Sequence, residues 1–119
     1  MLAFLVDDSL TMRRVLKSIL SGQGFEVAEA DCGAAALAWF QGNRADLAIF
    51  DWNMPQMTGM ELLYQVRADS RHMPMKIMMC TTETEQSEVV RALNAGADEY
   101  VMKPFTRESV VDKLHVMGF

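Results

Sequence analysis

The stretch Leu47-Ala48-Ile49-Phe50-Asp51 sets four consecutive apolar residues directly before an acidic one. A continuous apolar run of this kind is typical of a strand that is covered on both faces of a sheet. Further apolar or alternating runs lie at 2–6, 25–30, 76–80 and 100–102. We therefore expect five strands, with the run at 47–50 inside the sheet.

Helical patterns separate these strands, and polar residues suited to capping precede several of them. The candidate caps are Ser9, the capping-box pairs Thr58 with Glu61 and Thr82 with Glu85, and Thr106. Strands that alternate with helices predict an α/β fold, here a (βα)5 doubly wound parallel five-stranded sheet. The run at 25–30 alternates apolar and acidic residues, as an edge strand does. With that strand at the edge, we expect the order 2-1-3-4-5, which is one of the common orders of doubly wound sheets.

Composition narrows the class of protein. The 119 residues carry a net charge of −5, and their eleven Lys and Arg are scattered, which argues against a nucleic-acid surface. The two cysteines, Cys32 and Cys80, lack the spacing of a metal site or a redox pair. No apolar stretch approaches the length of a membrane span. We expect one domain, 1–119, in the cytoplasm, with no membrane or nucleic-acid partner.

Polar side chains follow four of the predicted strands. Asp7 and Asp8 follow the first strand, and the third, fourth and fifth strands lead into Asp51, Thr81 and Lys103. Parallel α/β sheets bind ligands at the carboxyl ends of their strands, so these groups should line one crevice. Two carboxylates about 4 Å apart repel by roughly 4 kcal/mol at an effective dielectric constant of about 20. A divalent cation, Mg²⁺, is therefore expected there.

The same groups are suited to accepting a phosphoryl group. Asp51 is an ionised nucleophile, whereas Lys103 and Thr81 could contact phosphoryl oxygens, and no general base is required. An enzyme with an aspartyl-phosphate intermediate, such as a haloacid-dehalogenase-type phosphatase, is an alternative, but Asn53 stands where that family has an acid. Flavodoxin-like flavin binding is a third reading, but it requires a phosphate-binding loop where Asp7 and Asp8 stand.

Four motifs resemble the signature positions of bacterial response-regulator receiver domains over nearly the whole chain. They are Val6-Asp7-Asp8-Ser9, Asp51-Trp52-Asn53-Met54-Pro55, Thr81-Thr82-Glu83 and Lys103-Pro104-Phe105. Gly59, and Tyr100 three residues before Lys103, make the resemblance greatest to stand-alone, CheY-like chemotaxis regulators. The resemblance implies a flavodoxin-like receiver fold and a cis bond before Pro104.

The resemblance also implies a role for each site residue. Asp51 would be the phosphoacceptor, and Mg²⁺ would be bound by Asp8, Asp51 and the backbone carbonyl of Asn53, with Asp7 acting through water. Thr81 and Tyr100 would form the switch pair. In that family, Asn53 and Glu83 occupy positions that tune the lifetime of the phosphoryl group.

The implied function is a two-component phosphorelay response regulator, a signalling phosphoacceptor rather than a metabolic enzyme. Its implied partners are a sensor histidine kinase and a flagellar motor switch protein or another protein target, and it is expected to be a monomer. A phosphate sink, or a receiver domain excised from a larger regulator, remains an alternative. Outside the site, we expect His72 and His115 to be solvated and Cys80 to pack as a small apolar residue.

Overall fold

The computed structural model describes residues 1–82 and 87–119. Five parallel strands form one sheet in the order β2-β1-β3-β4-β5, as predicted. The strands are β1 (Leu2–Val6), β2 (Glu26–Ala30), β3 (Leu47–Asp51), β4 (Lys76–Thr81) and β5 (Glu99–Met102). Every residue of β3 is buried, whereas Glu26 and Glu29 of β2 are exposed at the edge of the sheet. The predicted fold class is confirmed.

Helices connect the strands and cover both faces of the sheet. They are α1 (Leu10–Gly22), α2 (Gly33–Gly42), α3 (Gly59–Arg67), α4 (Val89–Asn94) and α5 (Arg107–Val116), with a short 3-10 turn at Ser70–His72. In the described ranges, no helix combines the length and the apolar character that crossing a membrane requires.

Three of the predicted caps are confirmed. The side chains of Ser9, Thr58 and Thr106 accept hydrogen bonds from backbone amides in the first turns of α1, α3 and α5. The fourth helix, α4, is described from Val89, and Glu88 before it makes no side-chain capping hydrogen bond. Glu85, half of the capping box predicted there, lies outside the described residues.

The sheet separates two apolar layers. Phe4, Phe40 and Phe50 belong to the layer beneath α2, α3 and α4, and Leu5 and Leu20 belong to the layer beneath α1 and α5. Successive strand residues point to opposite faces, so each strand supplies both layers.

Cys80 is a fully buried member of the layer beneath α1 and α5. Burial raises the pKa of its thiol to about 12. The prediction that it packs as a small apolar residue is confirmed.

His72 corrects an expectation, because it is buried rather than solvated, with 3% of its surface exposed. Its Nε2 lies 3.0 Å from the carbonyl oxygen of Phe40, and its ring packs edge-on against the Phe40 ring. The 3-10 turn folds the imidazole beneath α2. A single histidine in a connecting segment carries no periodic signal, so the sequence could not reveal this contact. His115 is exposed, as expected.

Arg67, at the end of α3, ties together segments at the amino end of the sheet. Its guanidinium donates to the carbonyl oxygens of Gly96 and His72, both at 2.8 Å, and pairs with Asp98 at 2.9 Å. Asp98 in turn accepts from the amide of Ile77 in β4. Only 11% of the Arg67 side chain is exposed, so these bonds are largely shielded from water.

We expect Arg67→Ala to lower the free energy of unfolding by roughly 2–4 kcal/mol, because Asp98 and two carbonyl oxygens lose their donor. Urea denaturation followed by circular dichroism measures the loss. Arg71→Ala is the control, because Arg71 pairs with Asp69 on the surface and its side chain is 44% exposed. The control should lose clearly less stability. Equal losses would contradict the role of Arg67.

Candidate functional site

Strand register brings the acidic residues together. Val6 is aligned with Phe50 across β1 and β3, so Asp7 and Asp51 each follow one residue later at the same edge. Asp51 is in turn aligned with Cys80 of β4, and Thr81 comes next. The carboxyl ends of the three central strands therefore present two carboxyl groups and a hydroxyl side by side.

Asp7, Asp8 and Asp51 form a compact carboxylate cluster. Each contributes one oxygen atom to a set in which all oxygens lie within 4.8 Å of one another. Asp7 is 2% exposed and Asp51 6%, whereas Asp8 faces solvent. Asp7 Oδ1 accepts a hydrogen bond of 2.9 Å from the amide of Ser9, which aligns the acidic loop with the start of α1. The predicted acidic cluster is thus present, with Asp8 as its exposed member.

Lys103 supplies the positive charge of the cluster. It follows β5, its Nζ lies 2.6 Å from Asp51 Oδ1 and 3.7 Å from Asp7 Oδ2, and its bond to Pro104 is cis. The Lys103 amide donates to the carbonyl oxygen of Thr81 at 2.6 Å, which holds the loop against the end of β4. One ammonium group therefore faces the two buried carboxylates.

Burial is the largest influence on the pKa values of the two buried carboxyl groups. It raises the pKa of Asp7 and of Asp51, despite the hydrogen bond from Ser9 to Asp7 and the one from Lys103 to Asp51, which act in the opposite direction. For Lys103, burial alone would lower the pKa, but the hydrogen bond to Asp51 and the two nearby carboxylates outweigh it and raise the pKa. The lysine remains charged, and the carboxylates are held at a cost in stability.

The donors of this cluster suit a hard divalent cation. Asp7 Oδ2 is buried and accepts no hydrogen bond from any residue in the described part of the chain. Lys103 Nζ, 3.7 Å away, offers this oxygen a positive charge but no hydrogen bond, so a cation bound directly or through water would restore the interaction that burial removes. Oxygen ligands in small number, with one side open to solvent at Asp8, are what Mg²⁺ binds while it retains several waters. The residues present therefore fit a magnesium ion.

Gly59 allows α3 to begin against the end of β3. A Cβ atom at this position would press into the backbone carbonyl oxygen of Asp51. The Gly59 amide instead donates to the carbonyl oxygen of Trp52 at 2.9 Å. In the loop between them Gln56 has a φ of 70°, in the left-handed region that non-glycine residues rarely adopt. The loop after Asp51 is therefore tightly folded over the strand.

The remaining predicted site residues lie around this cluster. Thr81 is fully buried, and its hydroxyl has no hydrogen-bond partner among residues 1–82 and 87–119. Tyr100 is half-buried and packs against the apolar layer beneath α2, α3 and α4. Asn53 is exposed two residues beyond Asp51, and Glu83 lies outside the described residues. The roles assigned to these four residues stay predictions.

Arg13 is a site neighbour that the sequence did not reveal. Its Nη1 donates to the backbone carbonyl oxygen of Asp7 at 2.7 Å, and its Nε pairs with Glu29 of β2 at 3.0 Å. The side chain is only 12% exposed, so it fastens the acidic loop to the edge strand. The sequence shows Arg13 only as one of several cations in the first helix. Its contact depends on the pairing of β1 with β2.

Comparisons with known proteins agree with this geometry. Residues 3–115 match the family described as "Response regulator receiver domain". The chain is 46% identical over 114 residues to "Chemotaxis protein CheY1" of Helicobacter pylori, covering 94% of this chain and 92% of that protein. It is 42% identical over 111 residues to "Chemotaxis protein CheY" of Pseudomonas aeruginosa, covering 92% and 90%. The solved structure of Vibrio cholerae chemotaxis protein CheY4 superposes with a TM-score of 0.89 at 36% identity, covering 97% and 96%.

We expect Asp7→Asn to raise the thermal unfolding midpoint in magnesium-free buffer at neutral pH. The folded protein retains a proton on Asp7 at pH values where the unfolded chain, with a pKa of 3.8, has lost it. The free energy of unfolding therefore falls as the pH rises through this interval, and an uncharged amide avoids that loss. Its oxygen can still accept from Ser9.

Calorimetry with a chelator present measures the midpoint. Asp112→Asn, which removes an exposed acid from α5, controls for the general change in net charge. A midpoint for Asp7→Asn at or below that of the control would contradict the view that burial of the carboxylate is destabilising.

Proposed function

This chain belongs to the response regulator receiver family, and on that premise we propose that it accepts a phosphoryl group from a histidine kinase onto Asp51 in a magnesium-dependent reaction. The observation that carries the proposal is the placement of Asp51, which lies 2.6 Å from Lys103 within a cluster of three carboxylates. The proposed nucleophile, the Lys103 ammonium group and the proposed metal ligands lie at one edge of the sheet.

In the proposed transfer, an Asp51 carboxylate oxygen attacks the phosphorus of a phosphohistidine. The new oxygen–phosphorus bond forms as the nitrogen–phosphorus bond breaks, and the imidazole nitrogen keeps the electron pair. Asp51 is already held as an acceptor by Lys103, so the protein does not have to remove a proton from the nucleophile. Lys103 is placed to move its hydrogen bond from the carboxylate to a phosphoryl oxygen.

Asp8, Asp51 and the backbone carbonyl of Asn53 would hold magnesium, with Asp7 acting through water. The bound ion would supply charge neutralisation to the phosphoryl oxygens. Asp7 and Asp51 are buried among apolar residues, which strengthens every electrostatic interaction at the site.

Thr81 and Tyr100 would carry the signal away from the site. The Thr81 hydroxyl is buried without a partner among the described residues, so a phosphoryl oxygen on Asp51 would be the acceptor it lacks. Thr81 and Met102 are aligned across β4 and β5, which places Tyr100 two residues back on the same face of the sheet as Thr81. A displacement of Thr81 could therefore open or close the space available to the tyrosine ring.

The output would be a changed protein-binding surface, and the relatives named above make chemotaxis the proposed setting. A flagellar motor switch protein is the proposed target, and 1–119 the proposed receiver domain, acting as a monomer in the cytoplasm. A phosphate sink would share the phosphorylation chemistry. It would differ in showing no phosphorylation-dependent binding to the motor.

Magnesium should quench Trp52 fluorescence and raise the unfolding midpoint. Trp52 follows Asp51 directly, and an ion that binds only the folded state stabilises it by about 2.7 kcal/mol at 100 times its dissociation constant. Because Trp39 also emits, the titration is best made in a Trp39→Phe background. Asp8→Asn should weaken both responses in parallel. No response of the parent protein to millimolar magnesium would contradict the proposed metal site.

A small phosphodonor with magnesium should add one phosphoryl group to the protein, and Asp51→Asn should abolish this addition because the amide is not a nucleophile. Intact-protein mass spectrometry measures the increment, and the label should be labile to base. Asp31→Asn, which alters an exposed acid just after β2, should leave labelling unchanged. Undiminished labelling of Asp51→Asn would show that another residue is the acceptor.

A further inference from the structure

Glu99 and Tyr100 of β5 and Lys113 of α5 contact one another. The Lys113 Nζ lies 4.6 Å from the centroid of the ring. The same Nζ lies 3.2 Å from Glu99 Oε1, and that oxygen also accepts a hydrogen bond of 3.0 Å from the Tyr100 amide. The Lys113 ammonium group therefore pairs with a carboxylate that also accepts a hydrogen bond from the backbone amide of Tyr100.

These contacts link residues that belong to opposite faces of the sheet. Tyr100 packs on the layer beneath α2, α3 and α4, whereas α5 contributes Val110 and Leu114 to the opposite layer. Because β5 is the last strand of the sheet, Lys113 can reach past it to the ring. The contact therefore connects elements that the sheet otherwise separates.

The contact is partly shielded from solvent. The side chain of Glu99 is 16% exposed and that of Lys113 is 31% exposed. An ammonium group over an aromatic face is attracted by the ring, and desolvation increases the attraction. Glu99 keeps Lys113 in this position, so the ammonium group cannot move with the Tyr100 ring without breaking its ion pair with Glu99. Displacing the ring costs the cation–π contact.

The region beside the ring offers room for movement. A crevice of about 450 Å³ lies along β5 and the start of α5, and its walls include Tyr100, Lys103, Ser109 and Lys113. Tyr100 and Lys103, which binds Asp51, thus line the same crevice.

We propose that Glu99 and Lys113 are positioning residues that hold the Tyr100 ring in the orientation seen here and so set how much of the protein adopts the activated state before phosphorylation. The inference rests on the proposed roles of Asp51 and Tyr100. Neither positioning residue contacts Asp51. They act on the equilibrium between two orientations of the Tyr100 ring. A side chain shifts such an equilibrium only if it interacts more strongly with one orientation than with the other.

The test places one fluorine-labelled tyrosine at position 100. Tyr64→Phe removes the other tyrosine, and fluorotyrosine incorporation then gives a single ¹⁹F NMR signal from Tyr100. Beryllofluoride with magnesium serves as the phosphoryl analogue. In the parent protein its addition should convert the resting signal into a second one.

Lys113→Met retains the length of the side chain and removes its charge. It should raise the population of the second signal before beryllofluoride is added, and raise the beryllofluoride affinity, each about two- to fivefold. Lys113→Arg should resemble the parent, because it retains the cation. Glu99→Gln should change both quantities in the direction of Lys113→Met. Lys17→Met, on the exposed face of α1, is the matched control and should change neither.

The outcomes separate this proposal from the proposed function. A Lys113→Met protein with the parent's ring populations and affinity would overturn the positioning role while leaving the phosphoacceptor intact. A parent protein whose ring signal does not respond to bound beryllofluoride would overturn the switch role of Tyr100, and the positioning role with it. Failure of the parent to bind beryllofluoride would contradict the proposed function itself.

Discussion

The burial of Asp7 and Asp51 side by side is the constraint on which the other features of this structure depend. Two carboxylates removed from water repel each other, and in the described part of the chain only Lys103 pairs with both. One oxygen of Asp7 and the hydroxyl of Thr81 have no hydrogen-bond partner within the described residues. A cation and a phosphoryl group would supply the missing interactions. Keeping both buried carboxylates charged therefore lowers the stability of the folded protein.

The surrounding structure keeps this arrangement in place. Strand register aligns Asp7 with Asp51, and Arg13 fastens the loop of Asp7 to β2. Gly59 allows α3 to start close to the Asp51 backbone. Each of these acts on the backbone near a carboxylate, and none of them neutralises its charge. The geometry of the site is thus fixed by the fold, and its charge remains available to ligands.

The features that followed from the sequence are those with a local or periodic signal. Short sequence patterns predicted the continuous burial of β3, the edge position of β2 and the caps at Ser9, Thr58 and Thr106. The grouping of the polar residues at the strand ends follows from the strands being parallel. Contacts between distant segments gave no such signal. Arg67 reaches Gly96 and Asp98 across the amino end of the sheet, and His72 turns inward beneath α2.

The contact between Lys113 and Tyr100 belongs to that second class, because it depends on α5 lying next to β5 in space. The capping box expected from Thr82 and Glu85 stays a prediction, because Glu85 lies outside the described residues.

The charged residues at the two margins of the sheet have a consequence for association. An outer strand offers unpaired backbone groups to which a strand from another molecule can add. In this chain, Glu26 and Glu29 flank one margin, and Glu99 with Lys113 flanks the other. Approach of a second molecule in strand register would remove water from the exposed Glu26 and Glu29 and would meet the ion pair of Glu99 with Lys113. Charge at both margins of the open sheet therefore disfavours the addition of a strand from another molecule.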